Sequence, residues 1–204
     1  SCSSCAVGGG QGQAAAAQAA CMKVSLAGAG NATLNLTSAT YVWMSEVTCA
    51  SMSGAQTVSI VGAGIGKTIL HAGELRRFFK LKRGARLVLQ DLTLSRGAAA
   101  DGGALYLEAG ASLDMSNVAL QDNAATAGSG GAIFNDGGSV SGVGVLFLRN
   151  TASVRGGAAF MAAGSTVTMS AGTTFQNNTA AALGLSGCAF AGGFDLPGYC
   201  NSSM

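Results

Sequence analysis

An all-β solenoid, a parallel β-helix of about 27 residues per coil, is the fold this sequence predicts. Three observations carry the prediction. Units open on Gly102-Gly103-Ala104-Leu105, Gly130-Gly131-Ala132-Ile133 and Gly156-Gly157-Ala158-Ala159, with glycine pairs 28 and 26 residues apart. They close on Leu120-x-x-Asn123, Phe147-x-x-Asn150 and Phe175-x-x-Asn178, whose asparagines lie 27 and 28 apart, while Gly110, Gly137 and Gly164 recur at 27 and 27. Between these marks run short alternating segments such as Ala104-Leu105-Tyr106-Leu107, Ser112-Leu113-Asp114-Met115 and Val118-Ala119-Leu120, broken by Gly, Asn and Ser. Alternation with a period of two is the strand signature, and the breakers form turns. Helical repeats would need apolar residues at i, i+3 and i+4 over runs of about 10 residues, and residues 56–190 contain none.

Each element follows in order. Residues 1–23 are expected to form an N-terminal cap, with a short Ala/Gln-rich helix from Gln11 to Met22 plugging the end of the core. The β-helix occupies residues 24–190, and residues 191–204 form a C-terminal cap or tail. Leu34 and Leu36 face inward on the first strand, which leaves Asn31 and Asn35 outward. Tyr41 and Trp43 alternate with Val42 and Met44. If the aliphatic pair faces the core, the aromatic pair is exposed to stack on sugar rings; the alternative places both aromatics under the cap.

In the repeats, Leu113, Val140 and Val167 share a register and form an inward aliphatic ladder. Ser112, Ser139 and Thr166, with Asp114, Ser141 and Thr168, form a hydroxyl-rich outer face. Only Thr166 and Thr168 supply the Thr-x-Thr spacing that ice binding wants. Asn123, Asn150 and Asn178 are expected to form a structural asparagine ladder at a turn, each amide bonding the next coil. Asp122 and Arg149 fall in successive coils and are expected to pair at the surface.

The opening coils, Ser59-Ile60-Val61-Gly62-Ala63-Gly64, Lys67-Thr68-Ile69-Leu70 and Leu87-Val88-Leu89-Gln90-Asp91-Leu92-Thr93-Leu94, resemble those of pectin-lyase-like right-handed β-helices. The Gly-Gly-Ala-Ile and Phe-x-x-Asn tetrapeptides resemble repeats of the chlamydial polymorphic outer-membrane proteins, whose surface-exposed region is an adhesin. Together the resemblance covers roughly residues 24–190. It implies a right-handed coil and a capping helix, and it carries over no catalytic motif. This scaffold hosts many unrelated functions, so activity must be argued from sites.

Composition narrows the setting. The chain has 204 residues, 10% of them charged, a net charge of +2 and 32 glycines against one proline. Six cysteines lie toward the ends, Cys2, Cys5, Cys21 and Cys49 before the repeats, Cys188 and Cys200 after them. That placement fits disulfides pinning the caps in an oxidising compartment. Six cysteines allow 15 connectivities; Cys188–Cys200 with two bonds among the first four is the favoured arrangement. Cys2-x-x-Cys5 has no βαβ context to support a redox motif, and with a single histidine the chain is poorly equipped for a zinc site. Asn31-Ala-Thr33, Asn35-Leu-Thr37, Asn177-Asn178-Thr179 and Asn201-Ser-Ser203 match the N-glycosylation pattern. No run of about 18 apolar residues offers a membrane span. Beginning at Ser1 without a signal peptide, the chain reads as processed or cut from something larger, and as secreted or surface-exposed.

Chemistry is sparse. Gly62-Ala63-Gly64-Ile65-Gly66-Lys67-Thr68 imitates a phosphate loop, but Val61 stands where the first glycine is required and a strand follows Thr68. A lyase needs carboxylates converging on Ca²⁺, and a hydrolase needs a close carboxylate pair. The nine acids, from Glu46 to Asp195, are scattered singly, and His71 has no catalytic companion. One segment stands apart: Arg76, Arg77, Lys80, Lys82, Arg83 and Arg86 place six of eleven cations within eleven residues. With Phe79 and Leu81 inward, Phe78, Lys80 and Lys82 are expected to face out, a stripe suited to acidic polysaccharide or an acidic protein. The plain alternative is a solvated face that keeps a low-charge protein soluble. Net charge and setting argue against nucleic acid, and no motif implies a cofactor or metal. The sequence therefore predicts a non-enzymatic structural or adhesive module with extracellular protein, polysaccharide or self-assembly as its contacts. The alternative is a protein that binds or cleaves acidic glycans.

Overall fold

A computed structural model describes residues 31–43, 45–49, 56–170, 172–181 and 190–191. The proposed N-terminal helix, most of the C-terminal cap, and Cys2, Cys5, Cys21, Cys188, Cys200 and Asn201 lie outside these residues. The described chain is a parallel β-solenoid of about 5 turns spaced by about 27 residues, with no helix. Among the described residues no helix is long and apolar enough to cross a membrane.

The turns are laid out on three walls, the narrow one gaining strands only from the third turn onward among the described residues. The first wall is a sheet whose central strands, Ala85–Ser95 and Ser112–Gln121, are long enough to bend across two faces. Its first face runs Ala32–Asn35, Gln56–Val61, Ala85–Ser95, Ser112–Gln121, Ser139–Val143 and Thr166–Met169. Its second adds Ala39–Val42, Thr68–His71, Leu146–Leu148 and Thr174–Gln176. A narrow wall of two-residue strands, Ala98–Ala99, Ala124–Ala125, Thr151–Ala152 and Thr179–Ala180, comes next. The third wall is Val47–Cys49, Phe79–Leu81, Leu105–Leu107, Ile133–Asn135, Ala159–Met161 and Phe190–Ala191.

The ladders have the expected register. Leu87, Leu113, Val140 and Val167 stack in one inward column. Leu70, Leu94, Leu120, Phe147 and Phe175 form another, in which the Phe147 and Phe175 rings stack at 4.7 Å and 7°. Burying each such side chain contributes about 1.5–3 kcal/mol, and parallel in-register stacking repeats that gain every turn. Outward, Ser112, Ser139 and Thr166 are partners, as are Asp114, Ser141 and Thr168.

The glycine pairs make the corner into the third wall. Gly102, Gly130 and Gly156 have φ of 58°, 71° and 63°, where a side chain is strained. At the second glycine of each pair space is the constraint. A Cβ on Gly103 would lie 2.5 Å from the carbonyl oxygens of both Ala124 and Gly131. The close approach lets Gly103 N donate to Gly131 O at 3.1 Å and Gly131 N donate to Gly156 O at 3.0 Å, knitting coil to coil through backbone.

The corner before the narrow wall is occupied in successive coils by Arg96, Asp122, Arg149 and Asn177, all left-handed at φ 52–54°. Non-glycine residues rarely adopt this conformation. Here three of the side chains belong to a charge ladder of alternating sign. Arg96 pairs with Glu74 at 3.6 Å, and Arg149 donates to both oxygens of Asp122 at 2.7 and 3.0 Å. The bond from Arg149 holds the Asp122 carboxyl below the usual carboxylate range despite partial burial.

One residue further sits the asparagine ladder. Asn123 and Asn150 are fully buried. Asn150 Oδ1 accepts from Asn123 N and Nδ2, both at 3.0 Å, and Asn150 Nδ2 donates to Leu120 O and to Asn178 Oδ1, both at 2.8 Å. Asn178 repeats the pattern, accepting from Asn150 N at 2.9 Å and donating to Phe147 O at 2.9 Å. Below, Asn123 Oδ1 accepts from Gly97 N at 2.8 Å. A polar chain this deep is tolerated because nearly every lone pair and proton is matched.

Candidate functional site

The basic segment is less of a stripe than its composition suggests. Phe78 is fully buried, not outward, and tilts against Trp43 at 5.9 Å. The strand begins only at Phe79, so Phe78 belongs to the preceding turn, its N–H bonded to Ala104 O at 3.0 Å, and alternation does not reach it. Arg77 folds against the next coil, donating to Asp101 O at 2.7 Å and Gly102 O at 2.9 Å, with Glu46 at 3.8 Å. Burial lowers its pKa, opposed by the nearby Glu46. Lys80 reaches Glu108 at 3.4 Å. Arg86 donates to Asp114 Oδ2 at 2.7 Å, and Asp114 Oδ1 accepts from Ser141 at 2.5 Å, so one chain of bonds joins three coils. Arg76 is half-buried. Only Lys82 and Arg83, at the turn into strand Ala85–Ser95, are both exposed and without an acidic partner in this segment.

Beside that turn lies a feature the sequence reading missed. Tyr106, Phe134 and Phe160 are register partners on the outer face of the third wall, half-buried and stacked at 5.1 Å with interplanar angles of 13° and 23°. Arg77 and Lys80 sit 5.0 and 5.1 Å from the Tyr106 ring centre, so the column begins on two cation–π contacts. Burial raises the Tyr106 pKa, with Asp136, Asp101 and Glu108 adding to the shift. The signal was available: an aromatic residue directly follows Gly-Gly-Ala-x in every unit.

Tyr41 and Trp43 are not a sugar platform. Both are buried and Val42 is exposed, the reverse of the exposed-aromatic reading. Tyr41 pairs with Leu70 and so joins the inner column, its hydroxyl 2.9 Å from Thr37 Oγ1. Cys49 also departs from expectation. It is a free thiol facing the core opposite Leu81, 1% exposed, and burial pushes its pKa up to about 12, leaving it protonated and inert at neutral pH.

The glycine-rich turn spends its groups on structure. Thr68 is fully buried, accepts from Ala63 N and donates to Thr37 O, both at 2.8 Å, so its hydroxyl points into the coil stack. His71 Nδ1 accepts from Gly73 N at 3.1 Å. The hydroxyl face is interrupted at Arg86 and Val88, register partners of Ser112 and Asp114. Among the described residues no three His, Cys, Asp or Glu side chains are grouped to hold a metal ion. Asn31, Asn35 and Asn177 are exposed.

What this arrangement offers is a solvent-facing turn of two cations just beyond Lys80, which lies over the first ring of an aromatic column, on a scaffold where five ion pairs among the described residues join neighbouring coils. Comparison with protein-family models, with characterised proteins and with solved structures finds no match to this chain.

Proposed function

We propose that this chain is a non-enzymatic structural or adhesive module of an extracellular setting, a cell surface, matrix or surface appendage. What supports the reading is where its carboxylates go. Glu46, Glu74, Glu108, Asp114 and Asp122 each face a cation on a neighbouring coil. Asp91 accepts from Asn117 at 2.6 Å, and Asp101 accepts from Ser129 N at 2.8 Å, again across coils. Acids used singly to join turns of a rod are not free to converge as a general acid/base pair or a Ca²⁺ cage. The same bonds stiffen the rod, which is what a spacer or adhesive stalk requires.

A second reading, recognition of acidic polysaccharide, is favoured by Lys82 and Arg83, which stand exposed two and three residues after the Lys80 that lies over Tyr106. Exposed, unpaired cations attract anions, and neighbouring rings add apolar contact. A glycan array probed with the native chain and with a Lys80/Lys82/Arg83→Ala variant separates the two. The structural reading expects no selective binding of acidic glycans by either protein. Binding that the variant loses would assign the corner to carbohydrate recognition and displace the scaffold reading.

A further inference from the structure

On the first wall the outer columns carry short polar side chains, Ser112, Ser139 and Thr166 in one and Asp114, Ser141 and Thr168 in the next. The third wall carries rings instead. Tyr106, Phe134 and Phe160 alternate with buried neighbours, Leu105 and Leu107, Ile133 and Asn135, Ala159 and Met161, so each ring points away from the core. Carbon atoms in contact lie about 3.5–4.0 Å apart. A centre separation of 5.1 Å at interplanar angles of 13° and 23° therefore means that the rings are slipped along the column. Each leaves part of its surface in solvent.

Carboxylates border these rings, and one of them is uncommitted. Asp101 stands in the turn before the first Gly-Gly corner, while Glu108 and Asp136 follow directly on strands Leu105–Leu107 and Ile133–Asn135. After burial, it is Asp136, Asp101 and Glu108 that raise the Tyr106 pKa, so all three lie within electrostatic reach of the ring. Two of the three already serve the fold: Asp101 accepts from Ser129 N at 2.8 Å, and Glu108 meets Lys80 at 3.4 Å. The cations over Tyr106 are committed too, Lys80 to Glu108, and Arg77 to Glu46 and the carbonyls of Asp101 and Gly102. Asp136 is exposed, and among the described residues it is the acid whose carboxylate makes no ion pair or hydrogen bond. The Tyr106 hydroxyl likewise has no hydrogen-bond partner among them.

We infer that the outer face of the third wall, from Tyr106 to Phe160, binds an uncharged glycan chain extended along the rod. This strip rests on the adhesive form of the function proposed above and supplies its partner. Sugar rings offer C–H faces that pack on aromatic surface and hydroxyl edges that need acceptors. An aromatic floor with a few polar groups at its border has that composition. Asp136 accepts from hydroxyls of the sugar over Phe134, and the Tyr106 phenol serves the sugar one coil below. The repeat fits as well: a pyranose joined through opposite corners of its ring advances by nearly one ring-to-ring spacing, so successive sugars meet successive coils. Charge sets the class. The group left free is a carboxylate, which attracts hydroxyl donors and repels a uronate or a sulfate. A proline-rich peptide would pack on the rings but brings no N–H from its prolines to Asp136.

The test titrates the full chain by calorimetry with cellohexaose, mannohexaose, xylohexaose and chitohexaose, beside a hexagalacturonate and a proline-rich peptide. A neutral hexasaccharide should bind, and Phe134→Thr and Asp136→Ala should each weaken it by about tenfold or more. Both substitutions copy the rod itself: Thr48 stands outward on the first described strand of the third wall, and Ala162 holds the place of Asp136 one coil on. Asp136 is exposed and unbonded, so Asp136→Ala tests the strip even where Phe134→Thr disturbs folding. No binding of any neutral hexasaccharide would overturn the strip, and so would binding that neither variant weakens. Tighter binding of the uronate or the peptide would overturn the neutral-glycan class. Each of these failures leaves the scaffold reading standing. A neutral sugar held at the strip and returned shortened would do the reverse, keeping the strip and overturning the non-enzymatic reading.

Discussion

Gly131→Val should leave the chain without a stable solenoid. A Cβ at this position would fall on the Gly157 carbonyl oxygen and lie 2.7 and 2.8 Å from Thr151 O and N. These atoms are backbone of the next coil, so no side-chain rotation relieves the clash. Opening the gap separates Gly131 N from Gly156 O and disturbs the neighbouring Ala132 N to Ala158 O bond of 2.8 Å. The site is central, with coils on both sides, so displacement spreads in both directions. Overpacking typically costs about 1–3 kcal/mol where side chains can shift; against fixed backbone the expected loss exceeds about 4 kcal/mol, in the exceptional range for one substitution. Chemical denaturation with circular dichroism detection checks it. An unchanged midpoint would mean that Gly131 does not occupy this corner.

Asn150→Ala should be nearly as damaging, for the opposite physical reason. Space is not the issue; the substitution leaves buried polar groups without partners. Asn123 N loses its acceptor, Leu120 O loses a donor at 2.8 Å, and the amides of Asn123 and Asn178 each lose one of their bonds to the ladder. With each unsatisfied buried group costing about 1–3 kcal/mol, a loss of about 3–5 kcal/mol is expected. Asn177→Gly is the control one coil away: the side chain it removes is exposed and outside the ladder, glycine accepts the φ of 53° at this corner, and the unfolding midpoint should move little. Equal midpoints for the two variants would show that the ladder is not holding the coils together.

How much was legible in the chain depended on repetition. The inward ladder of Leu113, Val140 and Val167 and the asparagine ladder could be aligned because three copies fix both period and parity. Tyr41-Val42-Trp43-Met44 has no second copy and is apolar at both parities, so alternation could not say which pair turns inward. The pairing with Thr68–His71 decides it. The basic segment precedes the first Gly-Gly corner, and nothing in its own pattern sets which coil neighbours its cations meet. Glu108 and Asp114, which neutralise Lys80 and Arg86, are 28 residues further along the chain in each case. The aromatic column of Tyr106, Phe134 and Phe160 was written in the repeat itself but lies on the outer face, where attention to core alternation does not look.

The central claim is that the polar outer surface of this rod serves coil-to-coil cohesion and not chemistry. The most direct measurement is prolonged incubation of the full chain with acidic polysaccharides, uronic and sulfated, followed by assay for unsaturated products and new reducing ends. The account predicts no product above a protein-free blank, with the chain still folded at the end. Product that scales with protein concentration and vanishes on replacing one carboxylate, Asp114→Asn or Asp136→Asn, would contradict it and make this rod an enzyme.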